Sequence, residues 1–139
     1  METVLIDIGV FHHIGVVTNS ISQATKVYQR LGLQPMFEPD VCDLGRRIKL
    51  NLLFKENHPT VELIEPIDAQ SPVTRILKQF GSNCYHTCYH VAKLDQSIKN
   101  LRKAQFVLIS EPSPAILFEQ KRVAFLFNKS IGLIEILEE

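Results

Sequence analysis

Two histidines and two glutamates recur at one fixed spacing: His13 and Glu62 return as His86 and Glu135, each 73 positions further along the chain. The same offset, applied without gaps, superposes Gln23 on Gln96, Lys26 on Lys99, Glu38-Pro39 on Glu111-Pro112, Leu53-Phe54 on Leu126-Phe127 and Glu65 on Glu138. A self-match at constant offset marks two copies of one supersecondary unit. Each copy opens with a histidine in an apolar stretch and closes with a glutamate in another. Imidazole and carboxylate together suit a first-row divalent ion, with two octahedral positions left for water or substrate. Such an ion polarises a carbonyl oxygen as a Lewis acid, and a ligating carboxylate can leave it to take a proton from the adjacent carbon. The chemistry implied is proton abstraction next to a metal-bound carbonyl. A buried glutamate flanked by Val61 and Leu63 is costly without a partner. That cost favours His13, Glu62, His86 and Glu135 acting together on one ion over four unrelated strand residues.

The elements that must position these four repeat as well. Each copy reads strand, helix, then three strands, which predicts an α+β fold of two tandem βαβββ modules forming a curved mixed sheet. The length suits a single domain over residues 1–139, with repeats over about 10–66 and 83–139. In the first copy, Phe11 to Thr18 is a strand. Asn19 or Ser20 caps a helix carrying Ile21, Ala24, Val27, Tyr28 and Leu31, and Gly32 stops it. Leu33 to Phe37, Arg47 to Lys55 and Thr60 to Glu65 supply three strands. In the second, Tyr85 to Val91 is the strand, and Leu94, Ile98 and Leu101 line the helix, with Asp95 in its first turn. Phe106 to Ile109, Arg122 to Phe127 and Gly132 to Leu137 follow, the first of them stopped by Glu111-Pro112-Ser113-Pro114. Between the copies, Pro72 to Phe80 reads as a short helix with proline at its first position.

Strand alternation decides which side chains meet. It puts the four candidate ligands on the face away from the helices. It assigns Leu50, Leu52 and Phe54, with Val123, Phe125 and Phe127, to the helix side. Arg47, Lys49, Asn51 and Arg122 then share the ligand face and are the expected substrate-binding residues. His12 is expected to face the helix layer, His58 a turn, and His90 a solvated strand end.

Fifteen basic residues balance fifteen acidic ones, which removes the electrostatic argument for nucleic acid or an anionic membrane as partner. No apolar run approaches the roughly 20 residues of a membrane-spanning helix. The N-terminal stretch from Met1 to Asp7 has no basic segment and does not resemble a secretory signal. Cys42, Cys84 and Cys88 cannot all pair, and they are expected to be buried free thiols in a reducing cytoplasm. A zinc ribbon needs a second close cysteine pair, which is missing.

Four stretches in order, His12-His13-Ile14-Gly15-Val16-Val17, Val61-Glu62-Leu63-Ile64-Glu65-Pro66, Tyr85-His86-Thr87-Cys88-Tyr89-His90-Val91 and Gly132-Leu133-Ile134-Glu135-Ile136-Leu137, resemble the vicinal oxygen chelate (glyoxalase/bleomycin resistance) superfamily. The likeness runs from Phe11 to Glu138 and is closest to bacterial glyoxalase I and methylmalonyl-CoA epimerase. It implies His13, Glu62, His86 and Glu135 as ligands of one divalent ion (nickel, zinc, cobalt or manganese), with Glu135 as the base and Glu62 as a second base. Epimerases resemble this chain in their Ser-Pro segment, here Ser71-Pro72, but carry a catalytic glutamate in the third-strand region of the first module. Gly45 to Phe54 holds no acidic residue, and Arg46, Arg47 and Lys49 stand there instead. The expectation drawn from this is a glyoxalase I-like lyase or isomerase acting on a hemithioacetal. Epimerisation of an acyl-CoA, or a non-catalytic drug-binding module, is the alternative. The implied partners are a small-molecule thiol conjugate or acyl-CoA and a second copy of the chain in a cytoplasmic homodimer.

Overall fold

The computed structural model describes residues 4–139; the first three residues of the stretch read for a secretory signal lie outside the described residues. The chain divides into two compact units, one of His13–Tyr85 and one of residues 4–12 with His86–Glu139. Each carries the expected strand–helix–strands order.

In the first unit the elements are β1 (Val10–Val17, from His13 on), α1 (Ile21–Arg30), β2 (Gln34–Pro35), β3 (Val41–Asp43), β4 (Ile48–Phe54), β5 (Thr60–Pro66) and α2 (Thr74–Phe80). β1 runs parallel to β5, β5 antiparallel to β4, and β2 and β3 both pair antiparallel with β4, so the sheet is mixed. The Ser20 side chain accepts from the Gln23 amide at 3.1 Å and fixes where α1 begins. Gly32 ends it at φ +95°. Its amide donates to Gln29 and that of Leu33 to Tyr28, closing the helix in a Schellman turn. Ile21, Ala24 and Tyr28 pack on Val16, Leu33, Leu53, Val61 and Leu63. Val27 and Leu31, expected on the same apolar stripe, remain exposed. Helix α2 starts at Thr74 with Val73 as its cap residue, so Pro72 precedes the helix rather than opening it.

The second unit holds β6 (Asn83–Val91, from His86 on), α3 (Leu94–Lys103), β7 (Val107–Ala115), a 3-10 turn (Ile116–Phe118), β8 (Lys121–Asn128) and β9 (Gly132–Glu138). β6 is parallel to β9, β9 antiparallel to β8, and β8 antiparallel to β7. Strand β7 does not stop at Glu111-Pro112-Ser113-Pro114 as expected but runs through it, with register shifts between Leu108 and Ser110 and between Ser110 and Ser113. It is an edge strand, where prolines cost no ladder hydrogen bond and bulges absorb the misfit. The core here joins Leu94, Ile98 and Leu101 of α3 to Val91, Ala124, Leu126, Ile134 and Ile136. Residues ahead of the repeat complete it: Ile6 and Ile8 pack on this cluster. Gly9 then turns at φ +77° so close to β6 that a Cβ would lie 2.0 Å from the His90 carbonyl oxygen.

Candidate functional site

Each unit presents one buried imidazole beside one buried carboxylate. In the first, β1 carries His13 and its parallel neighbour β5 carries Glu62. His13 is fully buried and Glu62 is 5% exposed, with His13 Nε2 3.5 Å from Glu62 Oε1. In the second, β6 carries His86 and β9 carries Glu135, at 4% and 3% exposure, with Nε2 3.3 Å from Oε1. Both separations exceed an ordinary charge-assisted hydrogen bond. They match two ligand atoms on adjacent positions of one ion: donors about 2.1 Å from a common metal stand about 3.0–3.4 Å apart at octahedral or tetrahedral angles. The donor atoms, neutral-capable nitrogen and carboxylate oxygen held in apolar strands, therefore fit half of a divalent coordination shell in each unit.

The strands next to the ligands do not turn the way their sequence suggested. Leu52 stands directly opposite Glu62 in the β4–β5 pairing, and Phe125 directly opposite Glu135 in the β8–β9 pairing. Directly paired residues share a face, so Leu50, Leu52 and Phe54, and Val123, Phe125 and Phe127, lie on the ligand side. Phe125 packs edge-on to His86, with ring centroids 5.2 Å apart and planes at 88°. The helix side takes Leu53 in one unit and Ala124 and Leu126 in the other. Leu52 and Phe125 occupy equivalent repeat positions, a signal visible in the 73-residue offset but not usable until the register was known.

The four expected substrate-binding residues accordingly face away from the ligands and are engaged elsewhere. Arg47 pairs with Asp68 at 2.7 Å. Lys49 lies 3.8 Å from Glu65, which also accepts from the Ile21 amide at the start of α1 at 2.7 Å. Arg122 pairs with Glu138 at 3.2 Å and with Asp95 of α3 at 3.3 Å. The hydrogen bonds to Arg122 hold the Glu138 carboxyl below its ordinary value. Lys49–Glu65 and Arg122–Glu138 are repeat equivalents, one structural ion pair built twice. Buried Asn51 accepts from the Phe37 amide and donates to the Phe37 carbonyl and Asp40, pinning the loop after β2.

The remaining histidines and cysteines also differ in part. His12 does not face α3: its ring meets His90 at 5.6 Å and Phe118 at 5.3 Å, while the preceding Phe11 packs on Tyr89, which joins the helix-side core. His90 Nε2 lies 3.2 Å from the Glu138 carbonyl oxygen, and His58 is exposed in a turn as expected. All three cysteines are free, but only Cys88 is buried; Cys42 and Cys84 are exposed. Among the described residues no helix is long and apolar enough to cross a membrane.

Residues 12–125 match the family model of the glyoxalase/bleomycin resistance protein/dioxygenase superfamily. The chain is 29% identical over 136 residues to the mitochondrial methylmalonyl-CoA epimerase of Dictyostelium discoideum, covering 96% of this chain and 80% of that protein. Among solved structures it is similar to methylmalonyl-CoA epimerase from Mycobacterium tuberculosis, with TM-score 0.81 and 22% identity over 99% of this chain and 91% of that one. It is also similar to a Streptomyces coelicolor methylmalonyl-CoA epimerase variant in complex with 2-nitronate-propionyl-CoA, with TM-score 0.79 and 18% identity over 94% of each chain. At those identities the two structures establish a common fold.

Proposed function

Because this chain belongs to the glyoxalase/bleomycin resistance protein/dioxygenase superfamily, we propose that it is a divalent-metal-dependent isomerase that moves the proton on the carbon beside the thioester carbonyl of an acyl-CoA. The observation carrying this reading is the buried imidazole–carboxylate pair repeated on equivalent strands of both modules. The reading takes His13, Glu62, His86 and Glu135 as the full ligand set of one ion, two ligands from each module. When bound, that ion supplies Lewis-acid polarisation of the thioester carbonyl. The two imidazoles serve as neutral ligands and keep the site's charge low. Glu135 removes the proton from the neighbouring carbon, and Glu62, the second buried carboxylate, returns one, which inverts the centre when the two act on opposite faces. The apolar strand residues around both carboxylates exclude water from the carbanionic stage.

Sequence alone placed lyase chemistry on a hemithioacetal first. The epimerase reading now takes precedence, supported by the curated relative that spans nearly the whole chain. A cytoplasmic setting belongs to the same reading, in keeping with three cysteines that form no disulfide, and so does a homodimer as the default symmetric assembly. The test is a two-arm assay on protein loaded with nickel, cobalt, zinc or manganese. One arm follows deuterium entering carbon 2 of 2-substituted acyl-CoA thioesters, and the other follows isomerisation of a glutathione hemithioacetal. Deuterium uptake with no hemithioacetal turnover is expected. The reverse pattern restores the lyase, and failure to bind any divalent ion leaves a sequestering module.

A further inference from the structure

We propose that the first unit carries a binding site for the phosphate groups of the substrate's coenzyme A nucleotide, in a recess between the loop after β5 and the outer face of α2, with Arg75 and Lys78 as its cations. The inference rests on the acyl-CoA reading above and locates the end of the substrate that takes no part in the chemistry. The recess measures about 370 Å³ and is lined by Ala69, Thr74, Arg75, Lys78 and Gln79, a size within the range of small-molecule sites. Arg75, Lys78 and Gln79 stand at i, i+3 and i+4, so they share one face of α2, while Val73 and Leu77 are buried. A guanidinium fork, an ammonium and a side-chain amide all donate hydrogen bonds, and the first two carry the charge a phosphate needs.

These two cations have no internal use. Arg46, Arg47 and Lys49 of the same unit each lie against a carboxylate. Among the described residues no carboxylate pairs with Arg75 or Lys78, and both are exposed. The sequence has no Asp or Glu between Asp68 and Asp95. Asp68, the acid nearest the recess in the chain, is already engaged: its carboxylate accepts from Arg47 at 2.7 Å and from the Gln70 amide at 2.9 Å. Its carbonyl accepts from the Thr74 hydroxyl at 2.8 Å and the Ser71 amide at 3.2 Å. Those bonds tie the loop to the start of α2 and hold the recess open without a ligand.

The chain itself limits how far this recess lies from the chemistry. Asp68, bonded to Thr74 on the recess wall, follows Glu62 by six residues, and six residues of extended chain span at most about 20–22 Å. In coenzyme A the arm from sulfur to the first phosphorus is as long as roughly four residues of extended backbone, or about 15 Å. The diphosphate and the ribose 3′-phosphate lie further out along the same molecule. A thioester beside Glu62 therefore carries its phosphates over the range of distances that the recess can occupy. Contacts this remote from the reacting carbon strengthen binding of the whole thioester without touching the proton transfer.

The experiment compares wild type with the double variant Arg75→Gln, Lys78→Gln, whose exposed substitutions leave the core untouched. Calorimetry reads binding of coenzyme A, pantetheine and adenosine 3′,5′-bisphosphate. Deuterium exchange at carbon 2 is read on metal-loaded protein with an acyl-CoA and with the matching acyl-pantetheine. The variant should bind coenzyme A about tenfold more weakly and pantetheine as wild type does. Its kcat/KM should fall by the same factor for the acyl-CoA and stay unchanged for the acyl-pantetheine. Wild-type affinity for coenzyme A should also fall more steeply with added salt than the variant's. Unchanged coenzyme A binding and exchange in the variant overturn the inference while leaving the acyl-CoA reading intact. Equal losses for coenzyme A and pantetheine overturn it too, because they show a general structural effect. If adenosine 3′,5′-bisphosphate binds wild type as tightly as coenzyme A does and loses that affinity in the variant, the recess serves free nucleotides and its assignment to the substrate is overturned. Exchange into neither thioester, with no binding of coenzyme A, overturns the inference and the acyl-CoA reading together.

Discussion

Replacing Glu135 by glutamine separates ligation from packing, because it keeps shape and removes charge. Glu135 is 3% exposed and lies 3.3 Å from His86 Nε2. If it binds a cation, the wild type gains stability from metal by mass action, about 2.7 kcal/mol at a free-ion concentration 100 times the dissociation constant. For 139 residues the unfolding entropy is about 0.29 kcal/mol per kelvin, so that gain raises Tm by about 9 °C. Outer-sphere partners alone change metal affinity by about 10–100-fold, so loss of a charged direct ligand should weaken binding by at least ~100-fold. At the same ion concentration the variant then gains only about 0.4 kcal/mol, or about 1 °C. Without metal, glutamine relieves the desolvation of a buried charge, so the chelated variant should melt no lower than chelated wild type. Differential scanning calorimetry with chelator and with a metal series reads both quantities. An undiminished metal-induced rise in the variant removes Glu135 from the ligand set. A large loss of stability under chelator would show instead that the carboxylate is a structural member of the core.

Glu65→Gln should destabilise by about 1.5–3 kcal/mol in urea denaturation, because it weakens a charge-assisted bond to the first turn of α1; Lys49→Ala should cost less than about 1 kcal/mol, since that pair is partly exposed. Arg122 depresses the Glu138 carboxyl, so its stabilisation is present above the ordinary carboxylate value and is lost as pH falls through the lowered one. The Tm difference between wild type and Glu138→Gln should therefore be constant near neutrality and close in acid; a gap that persists at low pH refutes the electrostatic account. Gly9→Ala should cost about 2 kcal/mol or more, through positive φ and collision with the His90 carbonyl; a neutral result in thermal melts would show that residues 4–9 do not seat on this core in solution.

The sequence determined a good deal by itself. The offset shared by His13, Glu62, His86 and Glu135 announced the duplication, and alternation within β1, β5, β6 and β9 placed all four on the side away from the helix cores, because those strands carry one clearly apolar set against the helices. Ser20 and Gly32 bounded α1 through local hydrogen bonds that need no tertiary partner. Strands β4 and β8 were different, since Leu50 and Leu52 compete with Leu53, and Val123 and Phe125 with Ala124 and Leu126, for the same helices. A strand apolar on both faces does not encode which way it turns; the register against its antiparallel neighbour does, and a one-residue change exchanges the faces. Only the pairings of Leu52 with Glu62 and Phe125 with Glu135 decided that hydrophobic side chains, rather than Arg47, Lys49, Asn51 and Arg122, stand beside the ligand carboxylates.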